Sequence, residues 1–404
     1  MSGRGTLLDP GRLGELRALL PQVGADAWLL YDFRDQNPLA HALLGLEKTT
    51  RRAFALFPRE GEPRLLHHAI EASAWRGWPW ETRRYSGWRE LATELKELLE
   101  GVDTVAMEVS PGDQVPTLDR VPMGVAELVR ETGVRIVSSG DLVSHFHSRW
   151  SDRGLELHWT AARTVREVAH GAFARAAEAV GAGDPVSEGH LMDWIRERLR
   201  DEGLRDQEDC IVAVGRNAAD PHYHPGGGRE GPAGALLGPD SLVLIDLWGR
   251  HPDEGVAADQ TWMGFLGTDP PPRAVEVWEV VRDARDRALD FLVERGERGE
   301  EVRGWEVDQV ARDVMEERGF LRYFVHRLGH SIDSELHGSG PNLDHLETRD
   351  ERRLLPGVGF SVEPGIYVPG EIGVRSEVNV YWGEDGPRVT TPDPQRDLLL
   401  FPPR

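Results

Sequence analysis

The sequence predicts an α+β protein: an N-terminal α/β domain, then a larger domain made of two similar α+β halves. Three observations lead there. Short apolar runs alternate with helical stretches in the first third of the chain. Two long amphipathic helices then precede a set of apolar strands, and that helix–helix–strand order recurs. At 404 residues the chain is long enough for two or three domains, each with its own core.

In the first region AWLLYD, FALF, RLLHH, TVAMEV and VRIVSS read as strands. WRELATELKELLEG reads as a helix between them, which favours a partly parallel, layered sheet. The polar segment from Ser148 to Gly154 marks a boundary, giving domains at 1–152 and 153–404. Leu155 to Val180 is a long amphipathic helix. Ser187 to Gly203 is a second, with Leu191, Trp194, Ile195 and Leu199 on one face and Gly203 as its stop. CIVAVG, LVLIDLWG and the segment from Ala258 to Phe265 follow as strands. Residues 274–295 and 305–319 give two more helices, the second with Val307, Val310, Ala311, Val314 and Met315 on one face. YFVHRL, GFSVEPGIY and GVRSEVNVYW then read as the strands of the second half.

Composition excludes several function classes. A formal net charge of -22 argues against a general affinity for nucleic acid or anionic membrane. No apolar run approaches the ~20 residues of a membrane span, and MSGRGTLLDPGRLGEL has no apolar signal region. Cys210, the single cysteine, rules out an internal disulfide and a thiolate metal cage. A cytoplasmic protein with neither nucleic-acid nor membrane partners is expected. The triple glycine Gly226, Gly227, Gly228 lacks the Lys-Ser of a phosphate loop and reads as a flexible loop over the site.

Polar residues intrude into the apolar strands at matching places. Asp246 sits in LVLIDLW and Glu363 in FSVEPGIY (363 − 246 = 117). Asp259 closes GVAAD and Glu377 lies in GVRSEV (377 − 259 = 118), while His222 and His337 repeat the pattern (337 − 222 = 115). So even an offset points to a duplicated half-domain with a pseudo-twofold axis and a site where its halves meet. Alternate strand residues share a face, which aligns Ser361 with Glu363, and Arg375 with Glu377 and Asn379. One such carboxylate is readily explained by an arginine partner. Four converging in a core would repel and raise one another's pKa, and a multivalent cation resolves that conflict.

HRLGHSIDSELHGSGP adds His326, His330 and His337. Its His-x3-His spacing lacks the Glu of a helical zinc motif, and its Gly and Ser residues favour strand and loop. One imidazole with four carboxylates makes an oxygen-rich site suited to Mn, Co, Fe or Zn.

Taken in order, LIDLWG, AADQTW, LGHSID, SVEPGIY and GVRSEVNV resemble the metal motifs of the pita-bread metallopeptidases. That family includes methionine aminopeptidase, aminopeptidase P, prolidase and creatinase. The resemblance covers roughly residues 155 to 395. The first 150 residues, with YDFRDQNPLAHALLG, are similar to the N-terminal domain of the aminopeptidase P, prolidase and creatinase branch. It implies a creatinase-like α/β domain ahead of a pita-bread catalytic domain with pseudo-twofold symmetry.

Carried over residue by residue, the resemblance implies that Asp246 chelates one divalent ion and that Asp259 and Glu377 bridge two. His330 and Glu363 would bind the second. The implied cofactor is two divalent metal ions per subunit, manganese first, with cobalt or zinc as alternatives. Glu363 would also shuttle the proton, and His222 and His337 would hydrogen-bond the substrate and the tetrahedral intermediate. His326 would line the proline pocket. Arg375 could pair a carboxylate of the substrate or one beside the metals, with an ion pair to Glu377 as the structural alternative.

The implied function is an Xaa-Pro dipeptidase, prolidase-like, acting on proline-containing peptides. An Xaa-Pro aminopeptidase acting on longer peptides is the alternative. A creatinase-like hydrolase and a non-catalytic pita-bread binding module are both disfavoured by the complete ligand set. The family's usual assembly implies a homodimer. Three features depart from its pattern. The aspartates stand 13 apart (259 − 246), so RHPDEG reads as an enlarged turn, and Val256 and Gly338 replace a frequent Tyr and a frequent acidic residue.

Overall fold

The computed structural model describes residues 5–46, 48–205, 210–226, 234–253 and 255–403; Gly227 and Gly228 lie outside them. The chain divides into two units, Met1–His147 and Ser148–Arg404. Among the described residues no helix is long and apolar enough to cross a membrane.

In the first unit the strands are β1 (Ala27–Asp32), β2 (Ala53–Pro58), β3 (Arg64–His68), β4 (Glu81–Tyr85), β5 (Thr104–Met107) and β6 (Arg135–Ser138). They form one mixed sheet in the order β4-β3-β2-β1-β5-β6, with β1–β5, β5–β6 and β3–β4 parallel. Helices α1 (Pro10–Leu19), α2 (Pro38–Leu44), α3 (Trp88–Leu98), α4 (Met123–Arg130) and α5 (Gly140–Val143) accompany it. Trp28, Leu30 and Phe57 pack with Leu13, Leu16 and Leu43 on one face. Leu29, Tyr31 and Leu56 pack with Leu91, Leu95 and Val129 on the other. A sheet buried on both faces explains why its strands read as continuous apolar runs rather than alternating ones.

The second unit repeats one plan. Its first half has α6 (Asp152–Gly181), α7 (Glu188–Asp201), β7 (Ile211–Val214), β8 (Leu242–Gly249) and β9 (Ala258–Phe265). Ser151 and Ser187 cap the two helices by accepting from Gly154 and His190 amides, which satisfies otherwise orphaned donors. The second half has α8 (Pro272–Glu297), α9 (Gly304–Glu317), β10 (Ser331–Ile332), β11 (Gly359–Val362), β12 (Gly365–Val368), β13 (Ile372–Arg375), β14 (Val378–Gly383) and β15 (Gly386–Val389); β16 (Leu399–Leu400) follows. One sheet runs β16-β9-β8-β7, the other β10-β11-β14-β15, and β12–β13 form a separate ribbon. Each four-stranded sheet thus follows a helix pair, as the repeated sequence pattern predicts.

The second half differs from expectation in two places, each with a physical reason. YFVHRL is not a strand. Arg312 takes the carbonyls of Phe324 and His326, and Asp308 takes the Leu328 amide, so side chains satisfy backbone groups that a ladder would otherwise use. GFSVEPGIY and GVRSEVNVYW are each two strands rather than one. Pro364 has no amide to continue β11. Opposite it, the Ser376 amide still donates to the Pro364 carbonyl at 3.3 Å, while its Oγ accepts from Arg285 Nη1 at 2.6 Å. Glu363 and Glu377 stand at these two breaks.

Candidate metal centre

The β8–β9 register pairs Asp246 with Thr261 and Trp248 with Asp259, which puts all four side chains on one face. In the other sheet Ser361 pairs with Asn379 and Val362 with Val378, and Glu363 and Glu377 lie one step beyond. His330 precedes β10 and is anchored there, its amide donating to Ser361 Oγ at 2.9 Å.

These elements converge on His330. Its Nε2 lies 3.4 Å from Asp259 Oδ2 and 3.5 Å from Glu363 Oε1. Nδ1 donates to the Ser331 carbonyl at 3.1 Å, a bond that assigns the tautomer and turns the free Nε2 lone pair towards the carboxylates. Ligand atoms of Asp259, His330 and Glu377 all lie within 4.8 Å of one another. Ser361 Oγ donates to Glu363 Oε1 at 3.0 Å, Thr261 Oγ1 donates to Glu377 Oε2 at 2.9 Å, and Asn379 Oδ1 accepts the Asp259 amide at 2.8 Å.

Asp246 is held differently. Arg375 forms an ion pair with it, while its Nε donates to Thr261 Oγ1 at 3.0 Å and its Nη1 to Tyr367 OH at 3.2 Å. The guanidinium is buried and engaged on every side. The ion pair of Arg375 is thus with Asp246, which it orients. Tyr367 OH in turn donates to His326 Nε2 at 2.9 Å, and His326 Nδ1 donates to the Arg327 carbonyl at 2.7 Å. His326 thus lines the cavity with its ring, both nitrogens being occupied.

Burial raises the Asp246 carboxyl to about 7, offset in part by Arg375, and raises Asp259 to about 8 with help from the Glu363 charge. Glu377 goes well above the usual carboxylate range, through burial and then Asp259. Glu363 is the exception. Burial pushes it up, but His330, His326 and Arg375 together hold it below its ordinary value.

Three buried oxygens, Asp246 Oδ1, Asp259 Oδ1 and Glu377 Oε1, have no hydrogen-bond partner among the described residues. An unsatisfied buried acceptor costs about 1–3 kcal/mol. All three belong to a carboxylate-rich, single-imidazole set, which is the donor chemistry of a divalent cation. Asp32, Asp35 and His41 in the first unit also cluster, but there the Asp32 oxygens are taken by the Asn37 and Asp35 amides and by Thr49 Oγ1. Of the two clusters, among the described residues, it is the one around His330 that leaves buried carboxylate oxygens without partners.

A cavity of about 500 Å³ opens over these residues, with Trp248, Leu336 and Pro221 among its walls. His222 and His337 also line it, and the His337 ring lies 4.4 Å from that of His330, centroid to centroid. Strand period aligns Ser361 with Glu363, and the same period applied to Asp259 reaches Thr261, two residues on, which the sequence reading leaves out; Tyr367 reads as a core aromatic and carries no signal. Two of the three departures sit in defined surroundings. Val256 packs in an apolar cluster with Trp150, Trp248, Ile332 and Leu336. A Cβ on Gly338 would sit 2.9 Å from Asp333 Oδ2, so an acidic side chain there would meet a carboxylate.

The model of metallopeptidase family M24 matches residues 160–384. The chain is 34% identical over 201 residues to an Xaa-Pro dipeptidase of Lactobacillus helveticus, covering 50% of this chain and 49% of that one. It is 35% identical over 217 residues to an Xaa-Pro dipeptidase of Lactobacillus delbrueckii subsp. lactis, 53% of each. It spans about half the length of the curated relatives it matches. Among solved structures, dipeptidase PepE from Mycobacterium ulcerans superposes with a TM-score of 0.68 at 23% identity over 97% of both chains. An Xaa-Pro dipeptidase from Bacillus anthracis does so with a TM-score of 0.61 at 22% identity over 96% of this chain and 99% of that one. The fold over nearly the whole chain is that of these proteins.

Proposed function

The chain belongs to metallopeptidase family M24, and on that premise we propose that it is a dinuclear-metal Xaa-Pro dipeptidase, cleaving the bond before proline. The observation that carries this reading is the trio of partnerless buried carboxylate oxygens, on residues that share the walls of one cavity of dipeptide size with the His330 imidazole. The names of the two Lactobacillus relatives support the substrate class.

Asp246, Asp259, His330, Glu363 and Glu377 would hold two divalent ions, manganese first and cobalt or zinc as alternatives. Such ions supply Lewis-acid polarisation of the scissile carbonyl and a nucleophile at neutral pH. The chain's own residues do the rest. Glu363 is held ionised at the cavity wall, where it can take a proton from the attacking water and pass it to the leaving proline nitrogen. Ser361 fixes its Oε1 and so its orientation. His222 and His337 donate hydrogen bonds to the oxygen that gains charge. His326, held from behind by Tyr367 OH, presents ring surface to the proline, and Trp248 and Leu336 exclude water. We assign the enzyme to the cytoplasm and to a homodimer.

With manganese supplied, kcat/KM for Xaa-Pro dipeptides is expected to exceed that for Xaa-Pro-Yaa-Zaa peptides by at least about 10-fold, roughly 1.4 kcal/mol of transition-state discrimination. Steady-state kinetics on both series, repeated with cobalt and zinc, check this. Faster cleavage of the longer peptides would make it an Xaa-Pro aminopeptidase instead.

A further inference from the structure

Glu188, the first residue of α7, is fully buried and belongs to none of the groups above. Its carboxylate is saturated. Oε1 accepts from the Val214 amide at 2.7 Å and from Asn217 Nδ2 at 3.0 Å. Oε2 accepts from Tyr223 OH and from the Ala235 amide, both at 2.7 Å. The Glu188 amide donates back to the Ala235 carbonyl at 3.0 Å, and Leu237 continues the pairing by donating to Val186.

One side chain therefore ties four pieces together: the end of β7, the turn after it, the leg that leaves through Tyr223 and the leg that returns at Ala235. Gly234 shows how tightly the return leg passes. It has φ of +104°, and a Cβ there would lie 2.6 Å from Glu188 Oε2 and 2.7 Å from Pro225 Cβ. The departing leg carries Pro221, His222 and Tyr223, all of which line the cavity. Every partner of Glu188 is a donor, so only an acceptor on both oxygens will serve. A carboxamide would turn its NH2 against at least one donor.

We infer that Glu188 is a positioning residue that fixes the His222 segment against the cavity. The inference rests on the proposed function only in that His222 is taken to touch the substrate. Its test is a double-mutant cycle on kcat/KM for an Xaa-Pro dipeptide. Glu188→Gln is expected to lower it about 10- to 100-fold, as misplacement of about 1 Å does, with bound metal unchanged. In a His222→Ala background the same change should cost less than about 3-fold, because residues that act through one another are not additive. Tyr223→Phe removes one donor and keeps the ring; it should show the same non-additivity at smaller size, and it carries the cycle if Glu188→Gln does not fold. Equal losses in both backgrounds, or no loss, would overturn the inference. Limited proteolysis between Pro221 and Leu236 reads the anchor without turnover. Cleavage of Glu188→Gln, or of Tyr223→Phe in its place, at the wild-type rate overturns the inference, whereas wild-type protein that cleaves no Xaa-Pro peptide overturns only the proposed function.

Discussion

Glu363→Gln is expected to remove peptide hydrolysis, a loss of roughly 100- to 10,000-fold in kcat, with the fold retained. Glutamine keeps the shape of the side chain and can still accept from Ser361 Oγ, and the Glu363 amide keeps its 2.7 Å bond to the Leu328 carbonyl. It cannot take a proton. Glu363 is also the one carboxylate of the set whose surroundings hold it below its ordinary pKa, which suits a base that must be ionised before the reaction starts. Turnover, circular dichroism and bound metal, measured together, separate the proton role from loss of a ligand. A variant that keeps its metal and a kcat within a few-fold of wild type would sink the assigned role.

The second large effect concerns metal itself. Without a cation, Asp246 and Asp259 have folded pKa values of about 7 and about 8, well above an unperturbed aspartate, and Glu377 is raised as well. A carboxyl raised in the folded state binds more protons there than when unfolded. The stability it contributes is therefore present at low pH and lost as pH rises through the folded value. A metal-stripped protein should lose stability from about pH 4, where an unfolded aspartate titrates, up to about pH 8. Adding manganese should restore it, with a larger rise in Tm at pH 8 than at pH 6. Binding should also release protons, seen as an enthalpy that varies with the ionisation heat of the buffer. A Tm shift that does not depend on pH would contradict this picture of the site.

Much of this centre is legible in the sequence because charge in an apolar strand has few explanations. Asp246, Asp259, Glu363 and Glu377 announce themselves by interrupting runs that otherwise suit a packed sheet, and the matched offsets tie them to one another. The supporting groups are less legible. Thr261 and Ser361 are ordinary strand residues until the register places them beside a ligand. Tyr367 looks apolar from its neighbours, yet its hydroxyl links Arg375 to His326.

Strand periodicity aligns Arg375 with Glu377, whereas its ion pair is with Asp246. The pairing with Asp246 crosses between two sheets, and no local pattern encodes that. The same limit explains YFVHRL. Its residues suit a strand, and only the distant Arg312 and Asp308 side chains, set on α9, draw its backbone groups away. Glu188 is a further case, an acid at a helix start whose sequence signal is that of any first-turn Glu.

The proposed cleavage of Xaa-Pro peptides depends on divalent metal. The most direct measurement is hydrolysis of an Xaa-Pro dipeptide by chelator-stripped protein, before and after manganese is returned. No detectable cleavage by the stripped protein and full recovery with metal are expected. Cleavage that survives complete removal of metal, or none at all once metal is restored, would contradict it.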